Sequence, residues 1–322
     1  MNPTQLRVVI MGASSGIGAA TAIAFARQGA HLVLGARGQD GLDDVVERCH
    51  AAGGQASAIT VDATDADAVS DFAYDARAIL GGIDLWFSNV GAGVVGKYTD
   101  VPIADHHRVI ETNLISHMND AHAVLPIFLE QDHGIWVNMI SSGGYVAAPY
   151  AAAYSASKFG LRGFSEALRA ELGKRRHIHV CDVYPTFVDT PGFSHAGNYT
   201  GARLSYPPGA LSPEKVADAV VKLAHRPRDT TVPGAPAAAM KLTQLTPNLI
   251  SATMNRFLDA WAKRADPADD TEGALYAPPR GASGVRSGQH AGERSRNNNG
   301  KALAVGAAVV GAAVALQLLR KR

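Results

Sequence analysis

Cysteine is almost missing from this chain: Cys49 and Cys181 are the only two among 322 residues, far apart and without metal-ligand spacing. Neither a disulfide framework nor a zinc site is expected, and two buried thiols in a reducing compartment are. An excess of either charge is missing too, with 30 Lys and Arg against 29 Asp and Glu and a formal net charge of +1. Such a chain carries no basic field for nucleic acid. Charged residues are scarce at 18%, against 47% apolar, a globular balance rather than a disordered one. The first residues show no charged segment followed by an apolar run, so no secretory signal is expected and the N-terminal region should stay in the cytoplasm. His106 and His107 are neighbours that point different ways on a helix, so no metal site is expected.

What is present is alternation. Short apolar or β-branched runs occur at "RVVIM" (7–11), "HLVLG" (31–35), "ASAIT" (56–60), "IDLWFS" (83–88), "GIWVNMI" (134–140) and "HIHVCDVY" (177–184). Helical patterns lie between them at 16–29, 42–52, 65–80, 103–130 and 151–174. Several runs lack clean polar alternation, as strands covered on both faces do. Strand–helix alternation at these lengths predicts a doubly wound, Rossmann-like α/β fold of about seven parallel strands with right-handed crossovers. Beyond Tyr184 the chain becomes rich in Pro, Gly and aromatic residues, a long loop. A further helix is predicted from Ser212, with Pro213 at its first position and Glu214 in its first turn. A last strand near 230–234 and a helical stretch to about Ala265 complete a predicted domain over 1–265.

Residues 266–300 are polar and rich in Gly, Pro and Arg, which predicts a flexible linker. The chain ends "KALAVGAAVVGAAVALQLLRKR", a segment (301–322) whose eighteen positions 302–319 are mostly apolar and bracketed by Lys301 and Arg320–Arg322. A helix of that length reaches roughly 27 Å, just enough for a hydrocarbon core. Membrane association through 302–319, with a cytoplasmic catalytic domain, is the expectation; a plainly cytoplasmic protein, the tail docked on protein, is the alternative. Basic residues at both ends leave the orientation open.

Two places along the domain carry chemistry. After the first run comes "GASSGIG", with Gly12, Ser14, Ser15, Gly16, Ile17 and Gly18 leading into a helix. Glycines there allow a tight turn and let backbone N–H groups reach a pyrophosphate at the positive end of the helix dipole. The spacing is G-x-x-x-G-x-G rather than the general dinucleotide G-x-G-x-x-G. At the end of the second run, where NAD enzymes place an acid against the ribose 2′-hydroxyl, stand Ala36 and Arg37. A guanidinium suits a 2′-phosphate, so NADP(H) is the expected cofactor. The second place is "YSASK", where Tyr154 and Lys158 share a helix face at i and i+4.

In order, GASSGIG, "SNVGAG", "TNL", "ISSGG" and YSASK resemble the short-chain dehydrogenase/reductase family, over about residues 5–235. The resemblance implies that Asn89 and Gly91 line a cofactor cleft, that Asp62 and Ala63 lie near the adenine, and that Asn113, Ser141, Tyr154 and Lys158 form a catalytic tetrad. Ser141 is chosen over its neighbour Ser142 because the family's serine stands thirteen residues before the tyrosine. "YPTFVDT" resembles the segment that holds the nicotinamide carboxamide, with Pro185, Val188 and Thr190 matching. Thr186 stands where a glycine is usual and Val90 where an alanine is. A homodimer or homotetramer on the long helices is also implied.

Reducing a carbonyl needs a hydride at carbon and a proton at oxygen. A free tyrosine titrates near 10, and bringing it to about 7 takes roughly 4 kcal/mol of preferential stabilisation of phenolate. Lys158 and a cationic nicotinamide are expected to supply it. Phe193, His195, Tyr199, Leu204 and Tyr206 are expected to line a mostly apolar substrate pocket. The expected function is an NADP(H)-dependent reductase or dehydrogenase for a lipophilic carbonyl or alcohol. The alternative is a catalytically idle NADP-binding membrane scaffold.

Overall fold

In the computed structural model, Arg7–Met11 forms β1, whose alternation supplies both faces of the central sheet. Val8 and Ile10 face one layer of helices while Val9 and Met11 face the other, and all four are fully buried. The structure describes residues 5–206, 210–234, 240–241, 243–245, 252, 254–256, 265–279, 281 and 284–287. The 301–322 tail, and most of the helical stretch expected up to Ala265, lie outside them. Among the described residues no helix is long and apolar enough to cross a membrane.

From β1 the chain runs through α1 (Gly16–Ala26), β2 (His31–Ala36), α2 (Gln39–Ala51), β3 (Gln55–Thr60) and α3 (Ala66–Leu80). It then crosses to β4 (Leu85–Ser88) on the other side of β1. After β5 (Val94–Gly96) come α4 (Ile103–Ile110), a π-helical turn at Glu111–Ile115 and α5 (Ser116–Gln131). Then follow β6 (Gly134–Met139), α6 (Ala152–Glu171), β7 (Ile178–Val183), the short α7 (Pro191–Ser194), β8 (Gly197–Tyr199), α8 (Pro213–His225) and β9 (Thr230–Thr231). Seven strands form one parallel sheet in the order β3-β2-β1-β4-β6-β7-β9, and β5 pairs with β8 in a two-stranded sheet.

Local signals place the helix starts. Asp65 caps α3 by accepting from the Asp67 and Ala68 N–H groups, and Ser212 caps α8 from the Lys215 N–H with Pro213 following. On one face of the sheet, Phe25 of α1, Leu42 of α2 and Val216 and Val220 of α8 form one buried cluster with Leu32, Leu34 and Val137. On the other face, Phe72 of α3 and Val124 and Phe128 of α5 cover Val33 and Trp86. Both cysteines are buried free thiols, and burial pushes Cys49 up to about 11. The strand order reverses between β1 and β4, and that switch point opens a crevice at the carboxyl ends of the strands.

Two expectations are corrected. The single helix over 103–130 is broken by the π turn at Glu111–Ile115, an extra residue that re-aims the helix face. The expected flexible linker from 266 is, over its described residues, a strap against the domain. Arg203 N–H donates to Asp266 O at 2.7 Å, Asn198 and Thr271 exchange both backbone hydrogen bonds, and Leu275 is buried among Val94, Val101 and Val109. Backbone hydrogen bonds, one buried leucine and side-chain contacts such as Tyr276 to Asp105 hold it, so a Gly/Pro-rich composition does not reveal it.

Candidate active site

Backbone close approach builds the crevice. Gly12, at φ +79, sits so near β4 that a Cβ would lie 3.0 Å from the Asn89 carbonyl carbon, and Gly18 faces the Gly12 carbonyl so closely that a Cβ would lie 2.1 Å from its oxygen. The Asn89 amide donates to that same oxygen at 3.1 Å. Glycine at both positions therefore lets the turn and α1 close against β4 and leaves N–H groups at the helix N-terminus facing the crevice. Thr190 packs on Gly16, its Cβ 3.2 Å from where a Cβ on Gly16 would be.

The cavity over this turn has a volume of about 1380 Å³. Ser14, Ser15, Gly16, Ile17, Arg37, Asp62, Ala63, Asn89, Gly91, Pro185, Val188 and Thr190 all line it, with Gly12, Ser141, Tyr154 and Lys158. Gly18 and Asn113 stand behind its wall, Asn113 fully buried. Phe193, His195, Tyr199, Leu204 and Tyr206 line it as expected, and so do Phe187, Met240 and Met254, which the sequence reading missed. Their signal was apolar character alone, which does not separate pocket from core.

Tyr154 and Lys158 lie one turn apart on α6, with the Lys158 Nζ 5.7 Å from the centre of the Tyr154 ring. Lys158 is 3% exposed and donates to the Met139 carbonyl at 3.3 Å. Burial pulls its pKa from 10.5 down to about 7. Burial raises the Tyr154 phenol above its ordinary value, and a hydrogen bond with Ser141 draws it partly back. The expected lowering of the phenol is thus not produced by these side chains alone, because burial disfavours the phenolate more than the Ser141 hydrogen bond favours it.

Ser141 has φ +141, a conformation rare for a residue with a side chain. Such backbone costs about 1–3 kcal/mol and collects at functional sites. Its Oγ accepts from the Gly143 N–H at 3.1 Å, which fixes the hydroxyl at the phenol. Asn113 sits in the π turn, and its side chain clamps Ala92, accepting from the N–H at 2.7 Å and donating to the carbonyl at 2.9 Å. It also donates to Ser157 Oγ at 3.2 Å. The carboxamide is therefore a brace for the loop carrying Gly91, as well as a neighbour of the lysine.

His117, absent from the sequence-based set, braces the same loop. Its Nε2 lies 2.8 Å from the Val90 carbonyl and its Nδ1 2.6 Å from the Asn138 side chain. Burial, with Lys158 nearby, lowers its pKa to about 4. Neutral, it can donate one N–H, and donation from Nε2 to the Val90 backbone carbonyl ties the loop to α5. At the adenosine end, Asp62 accepts from the Thr64 N–H and hydroxyl and pairs with Arg108 at 3.4 Å. Arg108, also absent from the expected set, reaches Thr64 at 3.1 Å.

The short chain dehydrogenase family matches residues 7–198, more than half of the chain. The chain belongs to that family, and it is an oxidoreductase of the short-chain type, acting on CH–OH donors. The ketoacyl reductase HetN of Nostoc sp. is 32% identical over 219 residues, 68% of this chain and 75% of the relative. Estradiol 17-beta-dehydrogenase 11 of Macaca fascicularis is 29% identical over 66% of this chain and 69% of its own. An alcohol dehydrogenase from Thermococcus sibiricus, solved with 5-hydroxy-NADP, superposes with a TM-score of 0.61 at 27% identity, over 71% of this chain and 94% of its own. A short-chain enzyme from Burkholderia phymatum, solved with NAD, has the same fold, with a TM-score of 0.66 at 23% identity over 84% and 99% of the two chains.

Proposed function

We propose that this protein transfers hydride between NADP(H) and a lipophilic carbonyl or secondary alcohol, with Tyr154 as general acid and base. The observation that carries the reading is one cavity lined at one end by the Gly-rich turn and Arg37, and at the other by Tyr154, Ser141 and Lys158. The turn, with its close-approach glycines, fits a pyrophosphate. Arg37, with Ala36 in place of an acid, favours a 2′-phosphate. Asp62 and Ala63 would hold the adenosine end, Asn89 and Gly91 the middle, and Pro185, Val188 and Thr190 the carboxamide.

Bound nicotinamide supplies or accepts the hydride. Ser141 hydrogen-bonds the substrate oxygen and orients it towards Tyr154, which gives that oxygen its proton in reduction and takes it back in oxidation. Lys158 lies below the phenol, where its charge favours phenolate and its ammonium can bind ribose hydroxyls. Asn113 and His117 hold the loop under both groups. The apolar side chains Phe187, Phe193, Leu204 and Met254 around the far end favour an extended apolar substrate. The ketoacyl and estradiol names of two relatives point the same way.

Nucleotide consumption by the full-length protein tests this against carbonyls graded from small and polar to long and apolar. A rise in kcat/KM of at least tenfold along the series, larger with NADPH than NADH, is expected. Equal values for the two nucleotides would remove the NADP preference, and a flat series the lipophilic substrate. No turnover in either direction would leave the idle cofactor-binding scaffold.

The same reading includes the C-terminal stretch 302–319 as an anchor that brings the cavity to where apolar substrates dissolve, with the catalytic domain on the cytoplasmic side. Fractionation should recover the full chain in a salt-resistant membrane pellet. Recovery in the supernatant would exclude the anchor.

A further inference from the structure

The strap does more than cover a surface, because it ends on the groups that the adenosine half of a dinucleotide would use. Arg37 gives its guanidinium to three strap carbonyls: Nη2 to Ala274 at 3.0 Å, and Nη1 to Leu275 at 3.3 Å and Tyr276 at 3.2 Å. Arg108 adds a fourth contact, Nε to the Leu275 carbonyl at 3.4 Å. Further along, the Gly284 carbonyl accepts from the Gly16 N–H at 3.0 Å, at the N-terminus of α1. Ala274, Pro278, Pro279 and Gly281 form part of the cavity wall.

These contacts are held from both sides. Leu275 is 1% exposed in the cluster of Val94, Val101 and Val109, and Tyr276 donates its hydroxyl to Asp105 at 2.7 Å. Gly273, at φ +61, lies so close to the preceding loop that a Cβ would be 2.3 Å from the His195 carbonyl oxygen. Beyond the cleft, Arg286 pairs with Glu214 at 3.0 Å, and Ser287 bonds Asp189.

A 2′-phosphate and a peptide carbonyl are both acceptors, so they compete for the same guanidinium N–H groups, and the carbonyl dipoles also repel the phosphate. A dinucleotide without that phosphate makes no such demand on Arg37. We propose that residues 274–276 act as a built-in competitor for the 2′-phosphate, so that the choice between NADP(H) and NAD(H) is set by strap docking as well as by Arg37. This rests on reading the cleft as a nicotinamide dinucleotide site. The docked strap leaves Arg37 committed, and NADPH binds in full only when residues 274–276 leave it. Apparent affinity then falls by the fraction of molecules with the strap released, and by linkage NADPH favours the released form by the same factor. The NADPH preference of the unmodified chain is therefore smaller than Arg37 alone would give.

The experiment compares equilibrium binding of NADPH and NADH by the full-length chain and by two full-length variants that loosen the strap through its packing and leave Arg37 in place, Gly273→Val and Leu275→Asn. Tryptic cleavage after Arg286 is followed in parallel. In both variants NADPH should bind at least tenfold tighter and NADH no more than about threefold tighter, the smaller gain coming from freeing Gly16. In the unmodified chain, NADPH should speed cleavage after Arg286 more than NADH does, a readout that needs no variant to fold. An unchanged NADPH-to-NADH ratio, weaker NADPH binding in the variants, or protection of Arg286 by NADPH would overturn the proposal. The last two would make the strap a wall of the bound state. If neither nucleotide bound any of the three chains, the reading of the cleft itself would fall, and the inference with it.

Discussion

Tyr154→Phe is expected to lower turnover about a thousandfold while leaving the affinity for the nicotinamide cofactor within about threefold. The magnitude is that of a positioned general acid or base, which contributes roughly 10²–10⁴-fold. The exchange removes one oxygen and leaves the ring, which packs beside Val94, Val109 and Leu275. Its neighbours keep their own partners, since Ser141 still accepts from Gly143 and Lys158 still donates to Met139. A loss of one hydrogen bond at the phenol costs about 1 kcal/mol of stability, too little to unfold the domain. Single-turnover reduction at saturating cofactor and substrate isolates the chemical step from binding. A variant whose rate stays within tenfold of the unmodified protein would take the proton transfer away from Tyr154. A variant that also lost cofactor affinity would show a binding role in place of a chemical one.

The strand runs were legible because buried parallel strands read as continuous apolar stretches, and β1, β2 and β6 fall within a residue of their runs. The Gly-rich turn was legible because close approach leaves room for no other residue at Gly12 and Gly18. Helical spacing puts Tyr154 and Lys158 on one face, and the ordered motifs around them are what gave that pair its weight. Other features have no such trace. The π turn that re-aims Asn113 depends on how α4 and α5 pack, and "ETNLI" reads equally well as ordinary helix. The backbone of Ser141 is imposed by its surroundings, and β5 and β8 are three residues each in Gly-rich loops. Arg37 could be read as a cation at the right place, but not that three peptide carbonyls already occupy it, since any residues could supply them.

Lys158→Met should stabilise the cofactor-free protein at pH 6, and the gain should shrink by roughly 3 kcal/mol at pH 9.5. The folded pKa of about 7 lies below the ordinary 10.5. Below pH 7 the lysine is charged in both folded and unfolded chains, and the folded chain bears the full cost of burying an ammonium that donates to the Met139 carbonyl. Between about 7 and 10.5 the unfolded chain keeps a proton that the folded chain has released, so the unmodified protein gains stability as pH rises through that window. Above 10.5 the group is neutral in both states. The methionine variant has no such proton, so the difference between the two proteins isolates the lysine from every other titrating group. Urea unfolding at the two pH values reads it. A gain independent of pH would mean that Lys158 keeps its full charge at neutrality, and the phenol above it would then be pulled towards phenolate by the protein alone. A gain that shrinks as stated assigns much of that pull to the cationic nicotinamide, so that the proton donor reaches its working pKa only when the cofactor is in place.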